Sequence, residues 1–163
     1  MAKFTSPATL FEDIEPDLSL QDGQARFDAI HPFHSFIVQA PAGSGKTALL
    51  TQRFLALLSQ VETPEQIIAM TFTKKAAAEM QERIFQALQF GASPLKPDSG
   101  IFERNTWYLA KAALENSHRR EWQLLQNPHR LRIRTLDSMN SYLVQQMPLL
   151  SRFGGQSELV EQP

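Results

Sequence analysis

The sequence has no cysteine among its 163 residues. Disulfide bonds, cysteine-ligated zinc or iron–sulfur centres and thiol catalysis are therefore excluded. Long apolar runs are also missing, because nowhere do about 18 apolar residues follow one another as a membrane-spanning helix requires. The four histidines are too scattered for a metal site, and the acidic beginning of the chain is unlike a signal peptide. We therefore expect a soluble, cytoplasmic protein without a membrane partner.

Charge nearly cancels over the whole chain but is unevenly distributed. The formal net charge is −1, so no overall field attracts nucleic acid. Residues 1–30 carry two basic and six acidic side chains, a net charge of −4, whereas residues 118–134 carry five arginines and one glutamate, a net charge of +4. Two interpretations of the arginine segment stay open: it lines a nucleic-acid path, or Arg132 and Arg134 are the outward face of a strand.

Short apolar segments alternate with amphipathic ones along the chain, separated by proline and glycine. We predict buried strands at 35–40, 67–72 and 131–136. We predict helices at 18–30, 46–60, 74–90, 101–126 (one or two) and 137–147. This alternation is typical of an α/β fold with a parallel sheet and crossover helices. Three strands are few for such a sheet, so we expect an N-terminal piece of a longer protein.

Residues 40–47 have the pattern of a phosphate-binding loop, with alanine in the position of its first glycine. Gly43 and Gly45 allow the backbone to close around phosphate oxygens at a helix N-terminus, which favours an anion. Lys46 is placed to bridge the β- and γ-phosphates, and the Thr47 hydroxyl to ligate Mg²⁺. The predicted nucleotide-binding residues are Ala40, Pro41, Ala42, Gly43, Ser44, Gly45, Lys46 and Thr47, the last two being the predicted catalytic residues. The alternative is an ordinary flexible turn.

A second motif narrows the choice among phosphate-loop proteins. Residues 71–84 read TFTKKAAAEMQERI, which resembles motif Ia (TFTNKAAxEMxERI) of the UvrD/Rep family of superfamily 1 DNA helicases. The segment IRTLDSMNSYL (133–143) is similar to the TFHS or TIHSF segment of that family and is nearer its RecB/AddA branch. Gln24 resembles the family's glutamine that reads the adenine edge. The resemblance spans roughly residues 20–150.

The resemblance implies a RecA-like, ATP-binding motor domain of an ATP-dependent 3′–5′ DNA helicase or helicase–nuclease in DNA repair and recombination. ATP and Mg²⁺ are the implied cofactors. The implied partners are single-stranded DNA, a second motor domain in the remainder of the chain and a partner subunit of a helicase–nuclease complex. We expect an N-terminal extension at 1–17, a partial motor domain at 18–150 with a helical insertion at 92–127, and a truncated segment at 151–163.

The strands of a parallel sheet end at one edge, which predicts where nucleic acid binds. The predicted nucleic-acid-binding residues are Phe72, Thr73, Lys74, Thr135 and Ser138. Phe72 is placed to stack on an unpaired base, although a core residue at a strand end has the same pattern. Lys74 stands where the family usually has asparagine, and a solvated first helical turn is its alternative interpretation. Asp137 stands where histidine is usual. Asp137 and Ser138 are both placed to cap the following helix, and we predict that Asp137 does so.

The sequence shows neither the acidic Walker B pair nor the arginine finger that hydrolysis requires. We therefore expect this chain alone to bind ATP weakly and to hydrolyse it negligibly. Two other functions stay open. One is a small phosphate-loop phosphotransferase or GTPase-like switch, and the other is a catalytically silent nucleic-acid- or protein-binding module.

Overall fold

The computed structural model describes residues 11–98 and 100–146 of the chain. Five α-helices and two β-strands lie in this described part, with short 3₁₀ turns at Pro64–Gln66 and Pro128–Arg130. The helices are α1 (Gly23–Ile30), α2 (Lys46–Leu58), α3 (Lys74–Gly91), α4 (Ile101–Arg119) and α5 (Leu136–Gln146), and the strands are β1 (Ile68–Thr71) and β2 (Arg132–Thr135). The predicted tail at 151–163 and most of the predicted extension at 1–17 lie outside the described residues.

Strands β1 and β2 pair in parallel, with Ile68 opposite Arg132 and Thr71 opposite Thr135. The chain between them contains α3 and α4, as a parallel pair needs a long crossover connection. The predicted α/β class with parallel strands and crossover helices is therefore confirmed. Because the strands run in the same direction, Thr71 and Thr135 bring both carboxyl ends to the same edge of the sheet.

The hydrophobic core lies where α2 and α3 pack on α4. Each of these helices has an apolar stripe at helical spacing. The innermost side chains of the three stripes, which are leucines and one isoleucine, are fully buried. Gly91 allows α3 to lie close against α4, since a Cβ atom built there would lie 2.6 Å from Ala110 Cβ. Trp107 and Trp122 are also buried. None of the helices within the described ranges is both long and apolar enough to cross a membrane.

The chain before α1 packs on the same core. Ile14 is buried, and Asn105 of α4 exchanges two hydrogen bonds with the backbone of Glu15. Residues 16–23 then form tight turns, which delay the helix predicted to begin at residue 18 until Gly23. Glycine is required there, because a Cβ atom would lie 1.8 Å from the carbonyl oxygen of Asp17.

The predicted strand at 35–40 is wrong. These residues form no strand, and Ile37 is 99% exposed. Apolar, β-branched composition predicted a strand, but a strand also needs a neighbouring strand to which it can hydrogen-bond. In the described part of the chain, β1 and β2 pair only with each other. The described sheet therefore has two strands where three were predicted.

The cap of α5 also differs from the prediction. The helix begins at Leu136, one residue earlier than predicted, so Asp137 lies inside its first turn. Thr135 takes the capping position, and its hydroxyl oxygen accepts a 3.2 Å hydrogen bond from the backbone N–H of Ser138. The Asp137 carboxylate still lies near the positive end of the helix dipole, which favours an anion.

Candidate nucleotide site and nucleic-acid groove

The phosphate loop connects residues 35–40 to the first turn of α2. Gly43 has φ 77° and Gly45 has φ 82°, a backbone conformation that other residues adopt only with strain. Gly45 precedes the first residue of α2, and no side chain of the described residues caps that helix. The first N–H groups of α2 therefore lack intrahelical partners and are available to an anion.

Lys46 is held by the loop itself. Its Nζ donates hydrogen bonds of 2.5 Å to the carbonyl oxygens of Ala40 and Pro41. The Oγ atom of Ser44 is buried without a hydrogen-bond partner, which is an energetically costly state for a hydroxyl. A cationic amine, an unpaired hydroxyl and a glycine backbone fit a phosphate group. Thr47, predicted to ligate Mg²⁺, is exposed in the first turn of α2.

Helix α1 contacts the loop through Arg26. Its Nη2 donates a 2.8 Å hydrogen bond to the carbonyl oxygen of Ser44, and its Nε lies 2.8 Å from Asp22 Oδ1. The hydrogen bond from Arg26 lowers the pKa of the Asp22 carboxyl below its usual value. The arginine is thus fixed from both sides, by the acid that directly precedes its own helix and by the phosphate loop.

A cavity of about 280 Å³ lies between α1 and α2, beside the loop. Its lining is mostly apolar and includes Gly23, Arg26, Phe27, Gly45, Ala48 and Gln52. Gln24, predicted to read adenine, is not among the lining residues. It is exposed and donates a 2.9 Å hydrogen bond to Asp28 Oδ1. Its role in base recognition stays a prediction.

Most of the predicted nucleic-acid residues meet in one groove at the carboxyl ends of β1 and β2. The groove encloses about 430 Å³. It is lined by Phe72, Lys74, Arg134, Thr135, Asp137, Ser138, Ser141, Tyr142 and Gln145. Four of the five predicted residues are in this list. The exception is Thr73, whose hydroxyl oxygen accepts a 3.1 Å hydrogen bond from the backbone N–H of Ala76 and caps α3.

Phe72 is 87% exposed, so the alternative that it is a core residue is wrong. Thr135 and Ser138 are joined by two hydrogen bonds, the second donated from Ser138 Oγ to the Thr135 carbonyl oxygen at 2.9 Å. Sequence reasoning missed Tyr142, whose ring lies 5.0 Å from the Arg134 guanidinium. Its place in the sequence could have indicated it, because Tyr142 stands one helical turn beyond Ser138.

The arginine segment does not form one surface. Arg130 makes a two-pronged ion pair with Glu65, whose carboxyl pKa it lowers. Arg119 and Arg120 both donate to Asn116 Oδ1 at the end of α4. Arg134 alone among the five lines the groove. The prediction of a nucleic-acid path therefore applies to one arginine, and the others have contacts elsewhere or lie on β2.

Comparison with known proteins agrees with the two motifs. Residues 23–160 match the model of the UvrD/REP helicase N-terminal domain. The chain is 36% identical over 87 residues to an ATP-dependent helicase/nuclease subunit of Clostridium perfringens strain 13, which covers 52% of this chain and 7% of that protein. It is 43% identical over 88 residues to DNA helicase IV of Escherichia coli strain K12, which covers 53% and 13%.

These alignments span only a small part of the curated relatives, between 7% and 13% of their lengths. No solved structure matches the chain. The family model, in contrast, covers most of the chain and includes the phosphate loop, α3 and the groove. The chain belongs to the UvrD/REP helicase N-terminal domain family.

Proposed function

We propose that this chain is the ATP-binding N-terminal part of the first motor domain of an ATP-dependent 3′–5′ DNA helicase or helicase–nuclease that acts in DNA repair and recombination. The observation that carries the proposal is the groove at the ends of β1 and β2. It gathers Phe72, Lys74, Thr135 and Ser138 from two segments that lie some sixty residues apart in the chain. The phosphate loop gives independent support for the ATP part.

We propose a RecA-like fold for the motor domain, spanning residues 18–150 with a helical insertion at 92–127. The parallel strands and the crossover through α3 and α4 support this assignment. The proposed partners are a second motor domain in the remainder of the protein and a partner subunit of a helicase–nuclease complex. In this arrangement, closure of the cleft between the two motor domains moves the protein along DNA.

At the phosphate loop, Lys46 would hold the β- and γ-phosphates of ATP, and Thr47 would hold Mg²⁺. When bound, Mg²⁺ neutralises charge on the phosphates. The unpaired Ser44 hydroxyl and the uncapped start of α2 support this assignment. Gln24 would contact the adenine base. We propose that hydrolysis by this chain alone is negligible, because the sequence offers no Walker B acid and no arginine finger.

In the groove, Phe72 would stack on an unpaired base, while Lys74 and Ser138 would contact phosphates. Stacking needs only the face of a base, which is hidden in a duplex and open in a single strand. Phosphate contacts carry no sequence information. The groove therefore suits movement along single-stranded DNA of any sequence, as a helicase requires.

Binding of a fluorescently labelled oligothymidylate to the 163-residue chain tests the DNA part. Phe72→Ala removes one stacking interaction of about 1–3 kcal/mol and is expected to weaken binding by about 5- to 150-fold. Phe33→Ala is the matched control, because Phe33 is also exposed but does not line the groove. Equal binding by the Phe72→Ala variant and the unaltered chain, or no binding by either, would contradict the proposal.

A further inference from the structure

Arg53 of α2 donates hydrogen bonds to three backbone carbonyl groups of the chain that precedes the phosphate loop. Its Nη1 donates hydrogen bonds of 2.7 Å to Ala29 O and 2.9 Å to His31 O, and its Nη2 donates one of 2.6 Å to His34 O. The guanidinium also lies 5.5 Å from the centre of the Phe36 ring. One side chain of α2 is therefore bonded to the end of α1 and to the segment that follows it.

These contacts join the two sides of the phosphate loop in the sequence, because Arg53 follows the loop and all its partners precede it. Arg53 is two helical turns after Lys46, so the two side chains lie on the same face of α2. Its acceptors at 29 and 31 belong to the end of α1, where helix carbonyls lack intrahelical partners and a cation is favoured. His34 and Phe36 belong to the segment that enters the loop at Ala40. Displacement of either α1 or this segment would break hydrogen bonds to Arg53.

The width of the cavity beside the loop depends on the separation of α1 and α2. Its lining comes from α1 on one side and from the loop with α2 on the other, and it is completed by the chain before α1 and by Phe102 and Asn105 of α4. Arg53 does not line the cavity, but it bonds α2 to Ala29 and His31, the neighbours of the lining residue Ile30. The flat fork of a guanidinium holds several acceptors at fixed positions in a way that an ammonium group cannot. A change in the separation of α1 and α2 would alter the width of the cavity, whereas the long side chain of Arg26 can keep its hydrogen bond to the loop.

We propose that Arg53 is a positioning residue of the nucleotide site: it fixes α1 against α2, so that the cavity accepts the nucleoside part of ATP while the loop holds the phosphates. The inference rests on the proposed function. A positioning role for Arg53 differs from a purely structural role in one measurable respect. Loss of Arg53 should weaken binding of the nucleoside part and leave binding of the phosphate chain unaltered.

The test compares the affinities of the 163-residue chain for ATP and for inorganic tripolyphosphate, each with Mg²⁺, by calorimetry. Arg53→Gln is expected to weaken ATP binding by about tenfold, a typical coupling between two parts of a site, and to leave tripolyphosphate binding unchanged. Arg83→Gln on α3 is the matched control, because Arg83 is exposed and outside the cavity. It should leave both affinities unchanged.

Arg53→Lys is the second variant and decides the test if Arg53→Gln does not fold. A lysine keeps the charge but loses part of the three-carbonyl contact, so ATP binding should weaken by about threefold with tripolyphosphate binding unchanged. Equal weakening of both ligands, or no change in either, would overturn the positioning role. Failure of the unaltered chain to bind either ligand would instead overturn the proposed function, and the inference with it.

Discussion

Arg26 of α1 donates a 2.8 Å hydrogen bond to the carbonyl oxygen of Ser44, inside the phosphate loop. Arg26 also packs closely against the loop, since a Cβ atom at Gly45 would lie only 3.3 Å from Arg26 Nη1. Asp22 holds the same guanidinium from the opposite side. The conformation of the loop thus depends on helix α1, through a hydrogen bond between residues 18 apart in the sequence.

We predict that Arg26→Gln weakens binding of both ATP and tripolyphosphate. The substitution removes the hydrogen bond to the loop itself, so the phosphate cradle is affected whichever ligand occupies it. A charged hydrogen bond contributes about 1.5–3 kcal/mol, and a loss near the lower value corresponds to about tenfold in affinity. Calorimetric titration of the 163-residue chain with each ligand measures this. Retention of tripolyphosphate binding by Arg26→Gln would show that the hydrogen bond does not shape the loop.

The two glycines of the loop provide a matched pair. Gly43→Ala and Gly45→Ala each place an alanine at positive φ, which costs about 1–2 kcal/mol. The space at Gly43 is open, whereas a methyl group at Gly45 would press on Arg26. We predict that Gly45→Ala lowers ATP affinity more than Gly43→Ala does. The ratio of the two dissociation constants is the measurement, and the reverse order would contradict the proposed contact with Arg26.

Asn116 is buried at the junction of α2 and α4, with 3% of its surface exposed. Its Nδ2 donates to the carbonyl oxygens of Leu58 at 2.8 Å and Val61 at 3.0 Å. Asn116→Ala would leave these carbonyls without their donor, and the predicted loss is about 1–3 kcal/mol in the free energy of unfolding. Urea denaturation measures the effect, with the exposed Asn140→Ala as control. Identical unfolding midpoints for the two variants would refute this role of Asn116.

The Glu65–Arg130 pair predicts a pH dependence of stability. The hydrogen bond from Arg130 lowers the pKa of Glu65 below its ordinary value of 4.5, so the unfolded chain takes up a proton first as the pH falls. The stabilisation is therefore present above pH 4.5 and is lost as the pH falls through the lower, folded-state pKa. Both side chains are 28% exposed, and we expect about 0.5–1 kcal/mol.

Glu65→Gln removes the titrating group and tests this assignment. The free energy of unfolding of the unaltered chain should exceed that of the variant at pH 7, and the difference should shrink below pH 4.5. Urea denaturation at a series of pH values measures both quantities. A difference that is the same at every pH would mean that the carboxylate contributes through packing and not through its charge.

Much of the fold could be predicted from residue spacing. The apolar stripe of α2 and the helix-forming residues of α3 predicted both helices to within two residues at each end. The short apolar segments at 67–72 and 131–136 likewise predicted β1 and β2. The groove could be predicted because strand ends of a parallel sheet share an edge, which brings Phe72 and Ser138 together without knowledge of any side-chain contact.

Two of the failures have one physical origin, since they depend on partners that leave no pattern in the sequence. Residues 35–40 have the composition of a strand, but a strand also requires a neighbour to which it can bond. Arg53 was missed because its partners are backbone carbonyl groups, which every residue possesses. The cap of α5 was assigned to Asp137 because the helix was expected to begin later. It begins at Leu136, which puts Thr135 in the capping position.

The most direct test of the account is the affinity of the 163-residue chain for ATP with Mg²⁺, measured for the unaltered chain, Lys46→Ala and Lys75→Ala. Lys75 is a suitable control because its side chain is 88% exposed and outside the loop. The account predicts that Lys46→Ala weakens binding by about 10- to 150-fold, the loss of one charged hydrogen bond to phosphate, and that Lys75→Ala binds as the unaltered chain does. Equal affinities for all three proteins, or no binding by the unaltered chain, would contradict the assignment of this loop as an ATP site.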